Sequence, residues 1–194
     1  MNLQELTQTS YEIAKSKGWW DKERSFAALT LLMQSEISEA LEDYRNKKGL
    51  NEVWYESSDP MANRILTEPS SPNDKFCGIA SELADVVIRI CDMAGHYGLE
   101  LKPIAVKASD NFEVALARAS LEISKAFDIL DDWAGTLPRM VLRGRLEAAG
   151  VFLSGAIVHL DHMCRANGID LEKAIEIKTA FNRTRPQRHG GKAI

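Results

Sequence analysis

Apolar residues recur along most of the chain at the three-to-four-residue spacing of a helix buried on one side. The spacing predicts a first helix over Leu3–Lys17, stopped by Gly18, and a second over Phe26–Tyr44 with Ser25 as its N-cap. In the second, Leu29, Leu32, Met33, Ile37, Ala40, Leu41 and Tyr44 fall near one face, and Lys47, Lys48 and Gly49 end it in the usual order of cations and then glycine. The pattern breaks from about 50 to 74, where Pro60, Pro69 and Pro72 stand among serines and asparagines. That stretch reads as a long loop, of the kind that is usually functional or disordered. Helical spacing returns over Lys75–His96 and stops at Gly98. A short helix is expected after Pro103, then longer ones over Phe112–Trp133, Pro138–Ala166 and Leu171–Phe181. The tail, Asn182–Ile194, contains Pro186, Gly190 and Gly191 and reads as irregular. No stretch alternates like a strand with hairpin signals beside it, so the expected fold is an all-α helical bundle.

Self-comparison adds an internal duplication. Ser81–Leu101 lies over Val151–Leu171 at an offset of 70, pairing Leu83 with Leu153, Val87 with Ile157, Met93 with Met163 and Gly98 with Gly168. Lys107–Asn111 lies over Lys178–Asn182 one residue out of step. Phe26–Leu41 lies over Phe112–Phe127 at an offset of 86. Amphipathic helices share a period by chance, but here the order of matched segments agrees as well. The chain is therefore expected to be one domain of two related halves, 1–111 and 112–194.

Composition narrows the function. With 194 residues, 27% charged and 45% hydrophobic, the chain can bury a single sizeable core. A net charge of −4 gives no general basic field for nucleic acid. The most apolar stretch, around Val151–Leu160, is far shorter than the ~20 residues a membrane span requires, and Met1–Ser10 lacks a signal pattern. Cys77, Cys91 and Cys164 are odd in number and widely spaced, which argues against a disulfide framework or zinc site and for a reducing cytoplasm.

The chemistry is carried by carboxylates. Glu36 and Glu39 lie three apart on one predicted helix, and Glu82 and Asp85 three apart on another, so each pair shares a face. Glu82 and Asp85 sit within Ile79–Ile88, where nearly every neighbour is apolar. Four carboxylates gathered by packing would repel and resist desolvation, whereas a hard divalent cation, Mg²⁺ or Mn²⁺, would relieve both penalties. A solvated stripe is the plainer reading of one such pair; two on successive helices favour metal. At the matched positions the second half has Glu122, Lys125, Phe152 and Gly155, so it could not hold the same ion. A di-iron bundle would need Glu-x-x-His pairs, which the chain lacks. His159 and His162 read as core or helix-surface histidines, and Trp19 and Trp20 as packing residues before base-stacking ones.

These residues resemble the MazG-like all-α nucleoside triphosphate pyrophosphatases, relatives of the dimeric dUTPases. The likeness rests on Lys17–Asp21, Ser35–Leu41 with Tyr44 and Arg45, Glu82–Ile90, and the tail residues Lys178, Asn182–Pro186 and His189–Lys192, leaving out about 112–150. It implies Mg²⁺-dependent hydrolysis of a nucleoside triphosphate to monophosphate and pyrophosphate by a homo-oligomer, a dimer first of all. Glu36, Glu39, Glu82 and Asp85 would hold the metal, with Glu39 or Glu36 acting on the attacking water. Lys178, Asn182, Arg185, Arg188 and Lys192 would meet the phosphates, with Lys107 and Asn111 as the alternative Lys/Asn set. The gap between the acidic pairs is longer than the family's, and about seventy extra residues precede the tail. A metal- and nucleotide-binding regulator without turnover is the alternative function, because binding and hydrolysis share their ligands.

Overall fold

The computed structural model describes residues 1–59, 61, 65–131 and 139–191, without the side chains of 139–142 and His189. Pro60, Trp133, Pro138 and Lys192 lie outside the described residues. The helices are α1 (Leu3–Ser16), α2 (Phe26–Arg45), α3 (Ile79–Tyr97), α4 (Phe112–Asp131), α5 (Arg139–Ala166), α6 (Leu171–Thr184) and the single turn α7 (Arg188–Gly191). The architecture is an all-α bundle with a small sheet on the α2–α3 connection.

Polar residues start the helices. Asn2, Ser25, Asn111 and Asp170 accept from the backbone N–H of Glu5, Ala28, Val114 and Lys173, a cap that contributes about 1 kcal/mol each. The central element is α3, which packs on α1, α2, α5 and α6. Leu83, Ala84, Val86, Val87, Ile90, Cys91 and Ala94 on α3 have no exposed surface. A fully buried Val, Leu or Ile side chain contributes about 1.5–3 kcal/mol, so this helix is the main store of apolar burial. The three cysteines are free and buried. Among the described residues, no helix is long and apolar enough to cross a membrane.

Three expectations need correction. The 50–74 loop and the residues after it form an antiparallel sheet in the order β2–β1–β3, from β1 (Trp54–Glu56), β2 (Ile65–Leu66) and β3 (Lys75–Cys77). Strands of two or three residues are too short to show alternation. Asp74 ties the loop down, accepting from the N–H and hydroxyl of Ser58 and of Ser70 and from Ser71 N–H. These bonds, that from Ser58 N–H foremost, hold its carboxyl well below the usual range. No helix follows Pro103: residues 101–109 form neither helix nor strand. Lys102 N–H donates to Ser154 Oγ, and Gly150 lies so close under the Glu100 carbonyl that a Cβ would sit 2.6 Å from it. The tail is not wholly irregular, since α6 runs on to Thr184 and α7 follows.

The positions matched in sequence occupy corresponding points of two hairpins, α2–α3 and α4–α5. Ser25 and Asn111 cap the first helix of each. Gly98 (φ 66°) and Gly168 (φ 70°) end the second in the left-handed region that glycine adopts without strain. Just beyond, Leu99 N–H bonds Ala94 O at 2.9 Å and Ile169 N–H bonds Cys164 O at 2.8 Å. Arg24 bonds Asp92 at 2.8 Å, and at the matched positions Asp110 meets His162 at 2.7 Å, acid and base exchanged between the elements. The Lys107–Asn111 match is the exception: it lies before α4, whereas Lys178 and Asn182 lie within α6.

Candidate active site

A cleft of about 320 Å³ opens along one face of α3, between α2 on one side and α1 and α6 on the other. Glu82, Asp85, Ile88, Arg89 and Asp92 form its floor. Leu32, Glu36 and Glu39 come from α2, and Lys178, Thr179, Asn182 and Arg185 from α6 and its end. Gly78 starts α3 with φ 113°, directly beneath the Glu52 carbonyl, where a Cβ would come within 2.5 Å. That close approach, open to glycine alone, fixes the first turn, which carries Glu82.

Glu36, Glu82 and Asp85 each bring a carboxylate oxygen within 4.8 Å of the others. Glu36 and Glu82 are 4% and 7% exposed. Glu39 is exposed and lines the rim of the same cleft without joining the tight group. Two cations share the cluster. Arg89 grips Glu36 Oε1 through Nε at 2.8 Å and Nη2 at 2.5 Å. Lys178 Nζ lies 2.7 Å from Asp85 Oδ2 and donates to Ser81 Oγ at 3.0 Å. Burial pushes the Glu36 carboxyl up, with Arg89 opposing. Burial works against the Lys178 ammonium, but Asp85 and Glu82 more than offset it and raise its pKa.

Glu82 is the member with no ion pair among the described residues. Desolvation, only partly opposed by Lys178, raises its carboxyl to about 8. Between 4.5, its ordinary value, and about 8, the folded protein keeps a proton that the unfolded chain has released. Stability contributed by the protonated acid is therefore lost as pH rises through that window. In chelator, melting temperature is expected to fall between pH 5.5 and 8.5, and to fall less in Glu82→Gln. Thermal denaturation at several pH values tests this, and equal slopes for the two proteins contradict it.

The sequence-predicted residues divide cleanly. The structure brings Glu36, Glu39, Glu82, Asp85, Lys178, Asn182 and Arg185 into one cleft. It leaves out three others. Asn111 is spent on capping α4, and Lys107 lies in the irregular 101–110 stretch, its carbonyl accepting from Arg118. Arg188 belongs to a latch, donating its backbone N–H to Lys17 O at 2.9 Å and Nε to Gly18 O at 3.1 Å. Lys17 Nζ returns the contact to Arg183 O at 2.7 Å, near the end of α6. This latch fixes the chain on both sides of Arg185.

Sequence reasoning missed the role of Arg89 and the far end of the cleft. Arg89 lies within the Glu82–Ile90 stretch that carries the resemblance, without a role assigned to it there. Arg24 and Asp92 are far apart in sequence, yet Asp92 accepts from Arg24 and, at 2.6 Å, from Trp20 Nε1. Trp20 stacks on His96 with ring centroids 3.6 Å apart and lies under Arg24, so it packs as expected, whereas Trp19 lines the cleft. His159 is buried, and the half-exposed His162 pairs with Asp110.

The second hairpin assembles its four matched positions too. Lys125 pairs with Glu122 at 2.9 Å and lies 5.4 Å from the Phe152 ring centroid. A Cβ at Gly155 would touch Glu122 Cγ at 3.5 Å. One acid, its own cation and an aromatic ring fill the place where the first hairpin gathers acids. Comparison with protein-family models, with curated proteins and with solved structures finds no match to this chain.

Proposed function

We propose that the chain is a MazG-like hydrolase that cleaves a nucleoside triphosphate to the monophosphate and pyrophosphate with Mg²⁺, Mn²⁺ being a substitute. The reading is carried by one observation: two helical acid pairs converge on a cleft whose facing wall supplies Asn182 and Arg185. The donor set fits a hard divalent cation. It is all oxygen, three atoms lie within reach of one another, and Glu82 lacks a cation of its own. Glu36, Glu82 and Asp85 would hold the ion with Glu39 at the rim, and the ion would neutralise charge on the phosphates as the anhydride breaks.

The chain's own groups do the rest. Glu39 is exposed beside the buried acids and could orient or deprotonate a water entering from solvent, with Glu36 held by Arg89 as the second choice. Arg185 offers a forked donor to phosphate oxygens, and Asn182 a neutral donor to phosphate or sugar. From Glu82 to Asp92, α3 runs about 15 Å at 1.5 Å per residue, room for a triphosphate and a nucleoside in line. Trp19, Leu32 and Ile88 would then flank the base. A dimer of this chain and a reducing cytoplasm complete the reading.

The experiment is pyrophosphate release across a panel of canonical and modified nucleotides with Mg²⁺ and Mn²⁺. Release from at least one nucleotide is expected; binding without release from any would favour the regulator. The second hairpin supplies a control. Glu122→Gln should leave turnover within about twofold of wild type, since Glu122 meets Lys125 and not the cleft. A folded Glu122→Gln protein with turnover lost would contradict that assignment.

A further inference from the structure

We infer that Lys178 is a tethered counter-ion that occupies one cation position of the carboxylate cluster, so that the free protein takes up a single divalent ion per chain. The inference rests on the metal-site reading above and concerns this chain's own lysine.

Geometry carries it. Lys178 is 3% exposed and reaches the cluster from α6, the wall opposite Glu36. Its ammonium lies 2.7 Å from Asp85 Oδ2, a length at which it takes up a ligand atom of the group. Ser81 Oγ accepts from the same nitrogen at 3.0 Å and donates its own O–H to Phe76 O at 2.9 Å. The hydroxyl's direction is thus set by the backbone of β3, just before α3, and it presents a lone pair to Lys178. The lysine is fixed on both sides and is poorly placed to act as a mobile phosphate hook.

Charge gives the count. Once ligation of the ion displaces the proton that Glu82 otherwise keeps, Glu36, Glu82 and Asp85 carry three negative charges and Glu39 a fourth. Arg89 on Glu36 and Lys178 on Asp85 return two. The balance of two is that of one divalent ion. A second ion in a paired site would lie about 3.5–4 Å from the first, and a buried ammonium already stands 2.7 Å from the carboxylate that would bridge them. Further cations would then arrive with the polyphosphate, which brings its own negative charge. Removing Lys178 restores one negative charge and frees both oxygens of Asp85.

The test is equilibrium binding of Mn²⁺ without nucleotide, followed by calorimetry and by the spin resonance of free Mn²⁺, on wild type, Lys178→Gln and Lys178→Met. The expected result is one ion per wild-type chain. Either variant should take up a second ion or bind the first at least ~tenfold more tightly. Gln keeps a hydrogen bond in reach of Ser81, so it is the variant to rely on if Met fails to fold. Two ions in the wild type, or a folded variant indistinguishable from it, would overturn the inference while leaving the hydrolase reading standing. No Mn²⁺ bound to the wild type at millimolar metal would overturn both.

Discussion

Asp85→Asn is expected to cut metal-dependent release of pyrophosphate by on the order of 10³-fold, the scale of losing a group that stabilises transition-state charge. Asp85 is the carboxylate shared between the acid cluster and Lys178, so the substitution removes a ligand and strands a cation at once. The fold should survive it. Within the cluster, Glu82 is the acid without an ion pair among the described residues, and it stands beside Lys178, whose pKa it already raises. Lys178 can therefore exchange one carboxylate for another. Steady-state turnover together with a thermal melt checks both halves. Near-wild-type turnover in a folded protein would remove Asp85 from the site.

The largest effect on stability is expected at Asp92→Ala. Arg24 and Asp92 are about nine-tenths buried and meet at 2.8 Å, while Trp20 Nε1 donates to the other oxygen. Burial pushes the Asp92 carboxyl up even against the pull of Arg24, so the environment disfavours charge and the pair depends on its partners. Truncating one member of such a pair costs about 3–5 kcal/mol, because the other charge stays buried. In a protein of this size that lowers the melting temperature by roughly 10 °C or more. Glu82 as well as Asp85 raises the Lys178 pKa, whereas the ion pair of Arg24 among the described residues is with Asp92. Replacing both residues, Arg24→Met with Asp92→Leu, should cost less than Asp92→Ala alone. Thermal melts of the three proteins decide the point, and a double variant less stable than the single one would contradict it.

The contrast between these two acids shows what the sequence could and could not disclose. Helices α1 to α6 were legible because long amphipathic runs, Ser25 and Gly98 all agree locally. The acid pairs were legible because a spacing of three on a helix fixes a shared face without tertiary knowledge. The sheet was not, since two- and three-residue strands carry no period. The 101–110 stretch was not either: Pro103 permits a helix start, but the backbone is captured by Ser154 and laid over Gly150 on α5. Nor could the sequence choose between Lys107 with Asn111 and Lys178 with Asn182. That choice depends on α6 packing against α3, which puts Lys178 on Asp85. The roles of Arg89, Arg24 and Asp92 escaped notice because a lone charge on an amphipathic helix looks solvated until its partner from another element is known.

The matched positions of the two hairpins bear on how the site is built. N-caps, left-handed glycines and a contact between an acid and a basic side chain recur in both. Of the four acid positions, Glu36 alone keeps its chemistry, as Glu122, while Glu39, Glu82 and Asp85 are matched by Lys125, Phe152 and Gly155. Lys125 satisfies Glu122 directly, so the second hairpin needs no external cation. The first gathers two acids, Glu82 and Glu39, beyond the two that Arg89 and Lys178 pair among the described residues.

The most direct test of the central claim is product analysis on wild type and Asp85→Asn purified side by side. Each would be incubated with single nucleoside triphosphates and Mg²⁺, and the products resolved by anion exchange. The account predicts equimolar nucleoside monophosphate and pyrophosphate from the wild type with at least one nucleotide, abolished by chelator and by Asp85→Asn. Diphosphate with orthophosphate as the products, or equal hydrolysis by the two proteins, would contradict it.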